Sequence, residues 1–447
     1  MRLSELRGKK ILILGFAKEG MDTLIFLRKL LGQEVIFGIG DQLKLENMAE
    51  KVKKPLKSDK KLKLHLGANY LEGVKYYDII IRSPGMPRQT IRPYLTDKQR
   101  ITSQTEIFFA NCPGKIVGVT GTKGKGTTAS LIYRILKAGG IKAHLVGNIG
   151  RPVLTQLLTA RKSAVYIYEL SSHQLSGLKQ SPHIAVFLNI YPEHLDYYGS
   201  FGAYLKAKSN IYAHQTKDDY LIYNKDNREV VKAIKASSAK KIAINPTEVK
   251  RIISEKDIPL KGKFNLHNVS AAIEVAKLFK IPSAKVKEAI KTFKPLPHRL
   301  EFVGTFKRID FYNDSLATMP EAAISALNAL GDQIQTLISG GFDRGLSFAK
   351  MAKAIADHRK IETMIFFPTT GKKIWQEMMM EIKKQKNRKL PRVFFVDKMR
   401  EAVKLGYEYT EKGRVCLLSC GSASFGVFKD YRDRGNQFKY FVRNSGK

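Results

Sequence analysis

Short apolar runs alternate with longer segments of helical periodicity along this chain of 447 residues. Near its start, the runs at residues 11–14, 35–37 and 78–81 accompany a helical segment at residues 21–31. Apolar runs of this length, separated by amphipathic helices, are typical of parallel strands whose two faces are covered by helices. The pattern therefore predicts a β-α-β arrangement and an α/β domain in the first part of the chain.

The same alternation recurs in two further segments. The middle segment has predicted strands at residues 116–119, 164–170, 184–189 and 220–223, and predicted helices at residues 127–136, 201–213 and 268–279. The last segment has predicted strands at residues 335–339, 363–367, 392–396 and 415–419. Pro295 and Pro297 lie between these segments and predict a hinge, because proline has a fixed φ and no backbone donor. The pattern thus indicates three α/β units.

The turn after the predicted strand at residues 116–119 carries the clearest chemical signal. It places three glycines around one lysine: Gly121, Gly124, Gly126 and Lys125. Such a turn directs backbone N–H groups and a helix N-terminus at an anion, beside an ammonium that we expect in an exposed turn. The strict pattern G-x-x-x-x-G-K-[ST] is not met, because Val119 stands at the first glycine and Gly126 separates the lysine from Thr127. The turn nevertheless predicts a site for nucleotide phosphates.

Two loops near the start of the chain also follow predicted strands. Gly15 and Gly20 flank the first strand-to-helix turn, and Ser83-Pro-Gly85 follows a later strand. Open α/β sheets bind their ligands outside the carboxyl ends of the strands. These loops therefore predict a second ligand-binding edge.

The large positive charge of the chain does not by itself identify the class of protein. The 78 Lys and Arg residues exceed the 40 Asp and Glu residues, which gives a formal net charge of +38. A charge of this size can mark a nucleic-acid binder, but the densest basic run, at residues 51–63, has no aromatic residue for base stacking. We interpret the charge as a lysine-rich surface that attracts anionic nucleotides, and we expect no specific nucleic-acid partner.

The location of the protein is also expected from its sequence. No apolar stretch approaches the ~18 residues of a membrane span, so we expect no membrane partner. The polar start of the chain leads into an apolar run too short for a secretory signal. The cysteines, Cys112, Cys416 and Cys420, are too few for a disulfide framework or a zinc site. We therefore expect a cytoplasmic protein with free thiols.

Polar residues follow two predicted strands of the middle segment. Glu169 ends one strand, and His194 and Asp196 come soon after the next. Carboxylate oxygens beside nucleotide phosphates are the ligands that Mg²⁺ prefers. The sequence therefore predicts a magnesium site near the phosphate turn, although each residue taken singly could have a structural role.

The order of these pieces resembles the Mur ligase family, the ATP-dependent amide-forming enzymes that build the peptidoglycan stem peptide. The resemblance covers nearly the whole chain and rests on nine motifs: Gly121-Thr-Lys-Gly-Lys-Gly-Thr-Thr128, Gly147-Asn-Ile-Gly150, Glu169-Leu-Ser-Ser-His-Gln174, His194 with Asp196, Tyr204-Leu-Lys-Ala-Lys208, Gly262-Lys-Phe-Asn-Leu-His-Asn268, Leu296-Pro-His-Arg-Leu-Glu301, Asn313-Asp-Ser-Leu-Ala-Thr318 and Gly340-Gly-Phe-Asp-Arg344. The segment at residues 418–438 looks most like that of the D-glutamate-adding members. The resemblance implies an N-terminal Rossmann-like domain at residues 1–112 that binds the UDP-linked substrate. It also implies a central domain at 113–297 with a P-loop ATPase-type parallel sheet, and a C-terminal Rossmann-like domain at 298–447 that binds the amino acid.

The resemblance also implies ATP and two Mg²⁺ ions as cofactors. Lys125 would contact the β- and γ-phosphates within a loop that comprises Gly121, Thr122, Lys123, Gly124, Lys125, Gly126, Thr127 and Thr128. Thr127 and Glu169 would hold one Mg²⁺, and His194 the other together with Lys208, which is carbamylated in this family. Asn265 and Asn268 would face the adenine, and Arg299 and Asp314 the ribose and phosphates. Of these, Lys125, Lys208, His194 and Arg299 would be catalytic.

The implied substrates are UDP-N-acetylmuramoyl-L-alanine and D-glutamate. Asn148, Ser171 and Gln174 would line the first, and Thr318, Arg344, Ser424, Phe425 and Tyr431 would surround the second. A substrate carboxylate would attack the γ-phosphorus of ATP, and the amine of D-glutamate would then attack the acyl phosphate. We expect a monomer.

Some positions depart from the family pattern and leave alternatives open. Gly126 is more typical of folylpolyglutamate synthases, which share the ATP-binding centre. Leu316 stands where D-glutamate-adding enzymes commonly have lysine, Arg344 replaces a lysine, and Tyr431 replaces a phenylalanine. In the first domain, Lys18-Glu19 and residues 38–41 match the uridine-site pattern loosely. A Mur ligase for another amino acid, a folylpolyglutamate synthase-like ligase and a basic nucleotide-binding protein that acts on nucleic acid are the alternatives.

Overall fold

Three parallel or mostly parallel sheets form the fold. The structure, a computed structural model, describes residues 1–32, 35–260, 262, 264–385 and 388–445, and only the backbone of Asp196. The strands of that part of the chain are β1 Ile11–Leu14, β2 Phe37–Asp41, β3 Leu62–Leu66, β4 Ile79–Arg82, β5 Arg100–Ser103, β6 Lys115–Thr120, β7 Ala143–Gly147, β8 Val165–Glu169, β9 Ile184–Phe187, β10 Tyr220–Asn224, β11 Lys240–Ile244, β12 Glu301–Phe306, β13 Ile309–Asn313, β14 Ile334–Gly340, β15 Thr363–Phe367, β16 Arg392–Phe395 and β17 Val415–Leu418.

Helices follow most of the strands, as in α/β proteins. The α-helices are α1 Lys18–Leu31, α2 Glu50–Ser58, α3 Arg88–Ile91, α4 Gln104–Asn111, α5 Lys125–Ala138, α6 Leu154–Leu157, α7 Ser172–Leu175, α8 Leu195–Tyr198, α9 Phe201–Ser209, α10 Arg228–Ala233, α11 Val249–Ile252, α12 Phe264–Leu278, α13 Ser283–Lys291, α14 Pro320–Leu330, α15 Ala349–Asp357, α16 Thr370–Lys383, α17 Met399–Tyr409 and α18 Tyr431–Ser445. Short 3-10 helices cover Leu3–Leu6, Leu45–Asn47, Tyr70–Tyr76, Arg92–Tyr94, Ile234–Ala236, Pro246–Glu248, Glu255–Asp257 and Gly331–Gln333. Among the described residues, no helix is long and apolar enough to cross a membrane.

The chain forms two compact units, one with two sheets and the other with the third sheet. The first sheet has the order β3-β2-β1-β4-β5 and the second β11-β10-β9-β6-β8-β7. Both belong to the unit formed by Met1–Asp257 and Leu266–Phe293. The third sheet, β12-β13-β17-β14-β15-β16, belongs to the unit formed by Ile258–Asn265 and Lys294–Lys447. The α/β class and the three sheets confirm the predicted fold, whereas the domain boundaries at 112/113 and 297/298 stay predictions.

The central strands are buried on both faces, which explains why they read as continuous apolar runs. All four residues of β1 and of β9 are buried, as are all five of β8. Such strands need helices on both sides, and burial of each large apolar side chain contributes about 1.5–3 kcal/mol. In the second sheet, β6 lies between β8 and β9, so the carboxyl ends of these three strands meet at one edge. This edge carries the phosphate turn.

Strand β2 lies further along the chain than its predicted position at residues 35–37. It contains Gly38 and Gly40, which masked the strand pattern in the sequence. A Cβ at Gly38 would lie 2.3 Å from the ring of Tyr77, and one at Gly40 would lie 2.5 Å from the side chain of Leu14. The glycines therefore make room for side chains that pack on the strand.

The third sheet begins with an antiparallel pair that the apolar pattern did not predict. Strands β12 and β13 pair antiparallel, and the remaining pairs are parallel. No residue of β12 is buried, so the strand lacks the apolar run of a central strand. The other strands of this sheet contribute to two apolar clusters of buried residues.

Candidate active site

The connection between β6 and α5 has the backbone shape of an anion-binding loop. Gly121 has φ 155° and Gly124 has φ 86°, and the latter lies in the left-handed region that favours glycine. Gly124 is the N-cap of α5, a helix of 14 residues, so the free N–H groups of the first turn face the loop. Backbone donors and the helix dipole together attract phosphate. The local structure therefore suits the predicted phosphate site.

Lys125 does not lie in an exposed turn, contrary to the expectation from the sequence. It is the half-buried first residue of α5, because the left-handed Gly124 turns the chain directly into the helix. Its Nζ donates to the carbonyl oxygens of Gly121 at 3.0 Å and Thr122 at 3.1 Å. The ammonium is therefore held over the loop rather than extended into solvent.

The loop is fixed by Asn189, which lies just after β9. The Asn189 side chain accepts from the backbone N–H of Lys123 at 2.8 Å and donates to the Lys123 carbonyl at 3.0 Å. The Lys123 side chain forms an ion pair of 2.8 Å with Glu193. Burial alone would raise the pKa of Glu193, but the Lys123 ammonium outweighs it and holds that pKa below its ordinary value. The loop thus keeps its shape through contacts on both the main chain and the side chain.

Lys208 is buried against the same loop, although it lies on α9. Only 1% of Lys208 is exposed, and its Nζ donates to the Gly121 carbonyl at 2.9 Å. The Nζ of Lys125 donates to this same oxygen, so two amines meet on one carbonyl. Burial, and then the nearby Lys125 ammonium, lower the pKa of Lys208 well below its ordinary value. The amine is therefore driven toward its neutral form.

Hard oxygen donors lie at the same edge of the second sheet. Glu169 ends β8 and is 4% exposed, and the register pairs it with Val119 of β6. Thr127 is buried in the first turn of α5. Among the described residues, no group of three or more His, Cys, Asp or Glu side chains could hold a metal ion by itself. A Mg²⁺ site here therefore depends on nucleotide oxygens beside these donors, which is how Mg²⁺ is usually bound.

His194 belongs to an aromatic group beside the loop. It is the N-cap of α8 with φ 56°, and its ring lies 4.8 Å from that of His173 and 6.2 Å from that of Tyr204. The Tyr204 ring is fully buried, its hydroxyl hydrogen-bonds with Thr122 at 3.2 Å, and the Nζ of Lys208 lies 5.0 Å from its centroid. The structure thus brings His194 to the same region as Lys208. The side chain of Asp196 lies outside the described residues.

Of the two asparagines predicted for the adenine side, Asn268 contacts the phosphate loop. Its Oδ1 accepts from the Thr128 hydroxyl at 3.1 Å. A Cβ at Gly124 would lie 2.3 Å from this same oxygen, so only glycine fits beside it. Asn265 is buried at the start of α12, and its backbone N–H donates to Gly262. Asn268 therefore supports the phosphate loop, and its role beside the adenine stays a prediction.

The three residues predicted for the UDP-linked substrate form one hydrogen-bond network. Gln174 Oε1 accepts from Asn148 Nδ2 at 3.4 Å and from the Ser171 backbone N–H at 3.0 Å. Gln174 Nε2 donates to Glu19 Oε1 at 2.9 Å. Burial raises the pKa of the Glu19 carboxyl. The network connects α1 of the first sheet to α7 of the second.

A cavity of about 370 Å³ lies beside this network. It is lined by both glycine-containing loops that the sequence singled out, together with predicted substrate residues: Gly15, Ala17, Lys18, Glu19, Gly20, Ser83, Pro84, Gly85, Asn148, Ser171 and His173. A cavity of this volume is typical of a small-molecule site. The loosely matched uridine-site residues Lys18 and Glu19 therefore share a cavity with Asn148 and Ser171.

In the unit that carries the third sheet, Arg299 and Asp314 flank the start of β12 and the end of β13. Arg299 Nε is buried without a hydrogen-bond partner among the described residues, so it retains a donor for a ligand oxygen. Asp314 accepts from the Ser419 hydroxyl at 2.8 Å and from the Leu300 backbone N–H at 3.0 Å. Burial raises the pKa of Asp314 to about 7.

The predicted amino-acid residues lie on loops after β13, β14 and β17. The Arg344 guanidinium lies 5.4 Å from the centroid of Phe425, which contacts Phe342 edge-on at 6.2 Å. Ser424 is buried, Arg344 is exposed, and Thr318 precedes α14. Tyr431 begins α18, and its carbonyl accepts from Ser315 at 2.7 Å. The structure therefore brings Arg344 and Phe425 into contact, and it places Thr318, Ser424 and Tyr431 on neighbouring loops of the same edge.

Arg434 was missed by the sequence reasoning, although it fixes these loops. It is fully buried on α18 and donates to the hydroxyl and carbonyl of Ser315 at 3.0 and 2.9 Å. It also donates to the carbonyls of Ser422 at 3.1 Å and Ala423 at 3.3 Å. Two of these bonds go to Ser315, 119 positions away, and the other two go to carbonyl oxygens 11 and 12 positions away, beyond the reach of a helical or strand pattern, so no local pattern could have predicted this role. The sequence did contain a signal for Asn189, which ends the predicted strand at residues 184–189. It also contained one for Tyr204, which begins the motif at residues 204–208.

Comparison with known proteins agrees with this arrangement. Residues 119–276 match the family described as Mur ligase middle domain. A UDP-N-acetylmuramoylalanine–D-glutamate ligase of Acetivibrio thermocellus is 32% identical over 464 residues, which cover 98% of this chain and 97% of the relative. The enzyme of the same name from Clostridium acetobutylicum is 33% identical over 460 residues, with 98% and 97% covered.

Solved structures show the same fold at lower identity. A MurF ligase from Thermotoga maritima in complex with ADP has a TM-score of 0.58 at 14% identity, with 99% of this chain and 97% of that chain covered. UDP-N-acetylmuramate-alanine ligase MurC from Thermotoga maritima has a TM-score of 0.57 at 15% identity, with 98% and 100% covered. The match to the sequence relatives over nearly the full length confirms the resemblance drawn from the motifs. The chain belongs to the Mur ligase family.

Proposed function

We propose that this protein is an ATP-dependent ligase that adds D-glutamate to UDP-N-acetylmuramoyl-L-alanine in the synthesis of peptidoglycan precursors. Relatives of that name share about a third of its residues over nearly the full length. The observation that carries the chemistry is the meeting of Lys125 and the buried Lys208 on the carbonyl of Gly121, at the mouth of a phosphate loop. We also propose a monomer that works in the cytoplasm, where its nucleotide substrates are made.

The reaction activates a carboxylate and then forms an amide. The substrate carboxylate attacks the γ-phosphorus of ATP, which gives an acyl phosphate and ADP. The amine of D-glutamate attacks the activated carbonyl, loses a proton, and inorganic phosphate departs. The N–H groups of the loop and the Lys125 ammonium stabilise the charge on the transferred phosphoryl group. Arg299 is proposed as a further cationic group for ATP, because its buried Nε–H has no hydrogen-bond partner among the described residues.

The donors present fit Mg²⁺. Glu169 is a buried carboxylate and Thr127 a buried hydroxyl at the edge where the phosphate loop lies, and both would hold one ion with the phosphates. When bound, Mg²⁺ neutralises charge on phosphoryl oxygens. His194 would hold a second ion with Lys208. A lysine ammonium is no metal ligand, so Lys208 takes this role as a carbamate, whose oxygens are anionic.

A panel of amino acids tests the proposed function. Phosphate release with ATP, Mg²⁺ and UDP-N-acetylmuramoyl-L-alanine is expected with D-glutamate and not with L-glutamate, L-lysine or diaminopimelate. Turnover with another amino acid alone would support a Mur ligase of different specificity. Because Gly126 is more typical of folylpolyglutamate synthases, the panel includes tetrahydrofolate with L-glutamate. Activity with that pair, and none with the UDP-linked substrate, would support the folate alternative.

Arg344 should carry most of the recognition of D-glutamate, since Leu316 contributes no charge. The guanidinium lies over the Phe425 ring, and its planar fork suits a carboxylate through two parallel hydrogen bonds. A hydrogen bond to a charged group is worth about 1.5–3 kcal/mol, so Arg344→Ala should raise the KM for D-glutamate by roughly ten- to a hundredfold. The KM for ATP should change little, and Arg344→Lys should recover only part of the loss.

The control for this prediction is Arg443→Ala, which removes an exposed arginine on the last turn of α18. It should leave the KM for D-glutamate unchanged. Equal increases in the KM values for ATP and D-glutamate in Arg344→Ala would contradict the assignment.

A further inference from the structure

Arg82 ends strand β4 and is buried, with 3% of its surface exposed. Its Nη1 lies within hydrogen-bonding distance of three carbonyl oxygens of the following loop. The distances are 2.8 Å to Met86, 3.4 Å to Ser83 and 3.4 Å to Pro84. One side chain therefore lies within hydrogen-bonding distance of three of the four carbonyl oxygens of the loop at residues 83–86.

The same guanidinium also reaches the second sheet. Its Nη2 donates to the carbonyl oxygen of Ser176 at 3.3 Å, directly after α7. Helix α7 begins at Ser172 and carries Gln174, whose amide belongs to the predicted substrate network. Arg82 thus holds the loop of the first sheet against the segment that follows the substrate residues of the second.

A second donor holds the loop from the other side. The hydroxyl of Tyr197 donates to the Pro84 carbonyl at 3.3 Å. The Tyr197 ring lies 4.4 Å from that of His173, which in turn contacts His194. Tyr197 therefore gives the loop a hydrogen bond in addition to those of Arg82.

The held loop forms a wall of the cavity beside the substrate network. Ser83, Pro84 and Gly85 line that cavity, together with the turn that begins at Gly15. A Cβ at Gly15 would lie 2.6 Å from the Cβ of Ser83, so the two walls are already in contact at this point. A small shift of the loop would change the width of the cavity.

An arginine suits this position better than other side chains. Its planar fork presents five donors in fixed directions, whereas a lysine offers one rotating point charge. No carboxylate lies within ion-pair distance of Arg82 among the residues that the structure describes; its hydrogen bonds go to backbone carbonyls and to the Tyr197 side chain. Burying a guanidinium costs free energy. In this protein the buried Arg82 guanidinium organises the loop at residues 83–86.

We infer that Arg82 is a positioning residue for the UDP-linked substrate: it fixes the loop at residues 83–86 against the segment after α7 and so preforms the cavity in which that substrate is held. The inference rests on the proposed function, because it assigns the cavity to the UDP-linked substrate. Arg82 acts through the loop and is not itself a catalytic residue.

The test compares Arg82→Met, which keeps the length of the side chain without its donors, with Arg82→Lys. Misplacement of a binding wall can cost as much as about a hundredfold, so Arg82→Met should raise the KM for UDP-N-acetylmuramoyl-L-alanine by roughly ten- to a hundredfold. The KM values for ATP and D-glutamate should stay within about twofold, because none of the hydrogen bonds of the phosphate loop among the described residues reaches residues 83–86. Arg82→Lys should recover part of the affinity.

Arg92→Met is the matched control, since Arg92 is exposed on a nearby turn and should have no effect. Calorimetric binding of UDP-N-acetylmuramoyl-L-alanine, without ATP, should show the same loss of affinity in Arg82→Met. Circular dichroism and thermal unfolding report whether each variant is folded, and Arg82→Lys supplies the measurement if Arg82→Met is not.

The outcomes separate the inference from the proposed function. Wild-type affinity for the UDP-linked substrate in both Arg82 variants, or equal rises of all three KM values, overturns the role of Arg82 and leaves the function intact. Failure of the wild-type protein to bind or ligate the UDP-linked substrate overturns the proposed function, and the inference with it.

Discussion

Replacing Lys125 with alanine is expected to reduce kcat/KM for ATP-dependent ligation by roughly 10²–10³-fold, as is typical when a preorganised group that stabilises developing charge is removed. The ammonium lies over the phosphate loop, held by the carbonyls of Gly121 and Thr122. In the proposed reaction, the transferred phosphoryl group would gain charge beside this ammonium. Initial rates of phosphate release measure the effect.

The loss should be electrostatic rather than a packing defect. Lys125 is only half-buried and its removal leaves no apolar cavity, so the thermal midpoint should change by only a few degrees. Lys137→Ala provides the control, because Lys137 is an exposed lysine in the last turn of the same helix. Near-normal turnover in Lys125→Ala would contradict the assignment of residues 121–128 as the phosphate-binding loop.

Lys208→Ala is expected to abolish measurable ligation, and acetate or another short carboxylic acid should restore part of it. In the proposed carbamylation, the neutral amine of Lys208 would attack CO₂, form a C–N bond and release a proton to leave an anionic carbamate. Burial, and then the nearby Lys125 ammonium, lower the pKa of Lys208 and so favour the neutral amine that this step needs. The carbamate would keep one N–H to donate to the Gly121 carbonyl, which accepts from the Lys208 amine at 2.9 Å.

The control for Lys208 is Lys206→Ala, two residues away on α9 but exposed. It should keep wild-type activity. A ¹³C NMR signal for a carbamate should appear after incubation with ¹³C-bicarbonate in the wild type and in Lys206→Ala, and should be absent in Lys208→Ala. Full activity of Lys208→Ala without any additive would show that this lysine has no part in the reaction.

The parts of the site that the sequence predicted are those with a local pattern. The apolar run of β6, the glycines of the loop and the start of α5 lie next to one another in the chain, and their chemistry follows from that order. Glu169 was predicted because a carboxylate that ends an apolar strand near a phosphate turn suits Mg²⁺. The strand at residues 363–367 was predicted at its observed position because its run is entirely apolar or β-branched.

The parts that the sequence could not predict depend on distant contacts. Nothing near Lys208 distinguishes it from the exposed Lys206, and its burial follows from how α9 packs against the phosphate loop. Arg82 looks like an ordinary charged residue after a strand, yet its partners include a carbonyl 94 positions away. Lys125 begins a helix instead of lying in an exposed turn, and this depends on the left-handed conformation of Gly124.

The contact between Gly124 and Asn268 restricts how this enzyme can change over evolutionary time. The two residues lie on different helices, yet any side chain at position 124 would collide with the Asn268 amide and would also have to adopt φ 86°. The same amide accepts from Thr128, so a smaller residue at 268 relieves the collision but abandons a hydroxyl in the phosphate-loop helix. Position 124 should therefore stay glycine whatever residue stands at 268, whereas a change at 268 alone costs the Thr128 hydroxyl its acceptor.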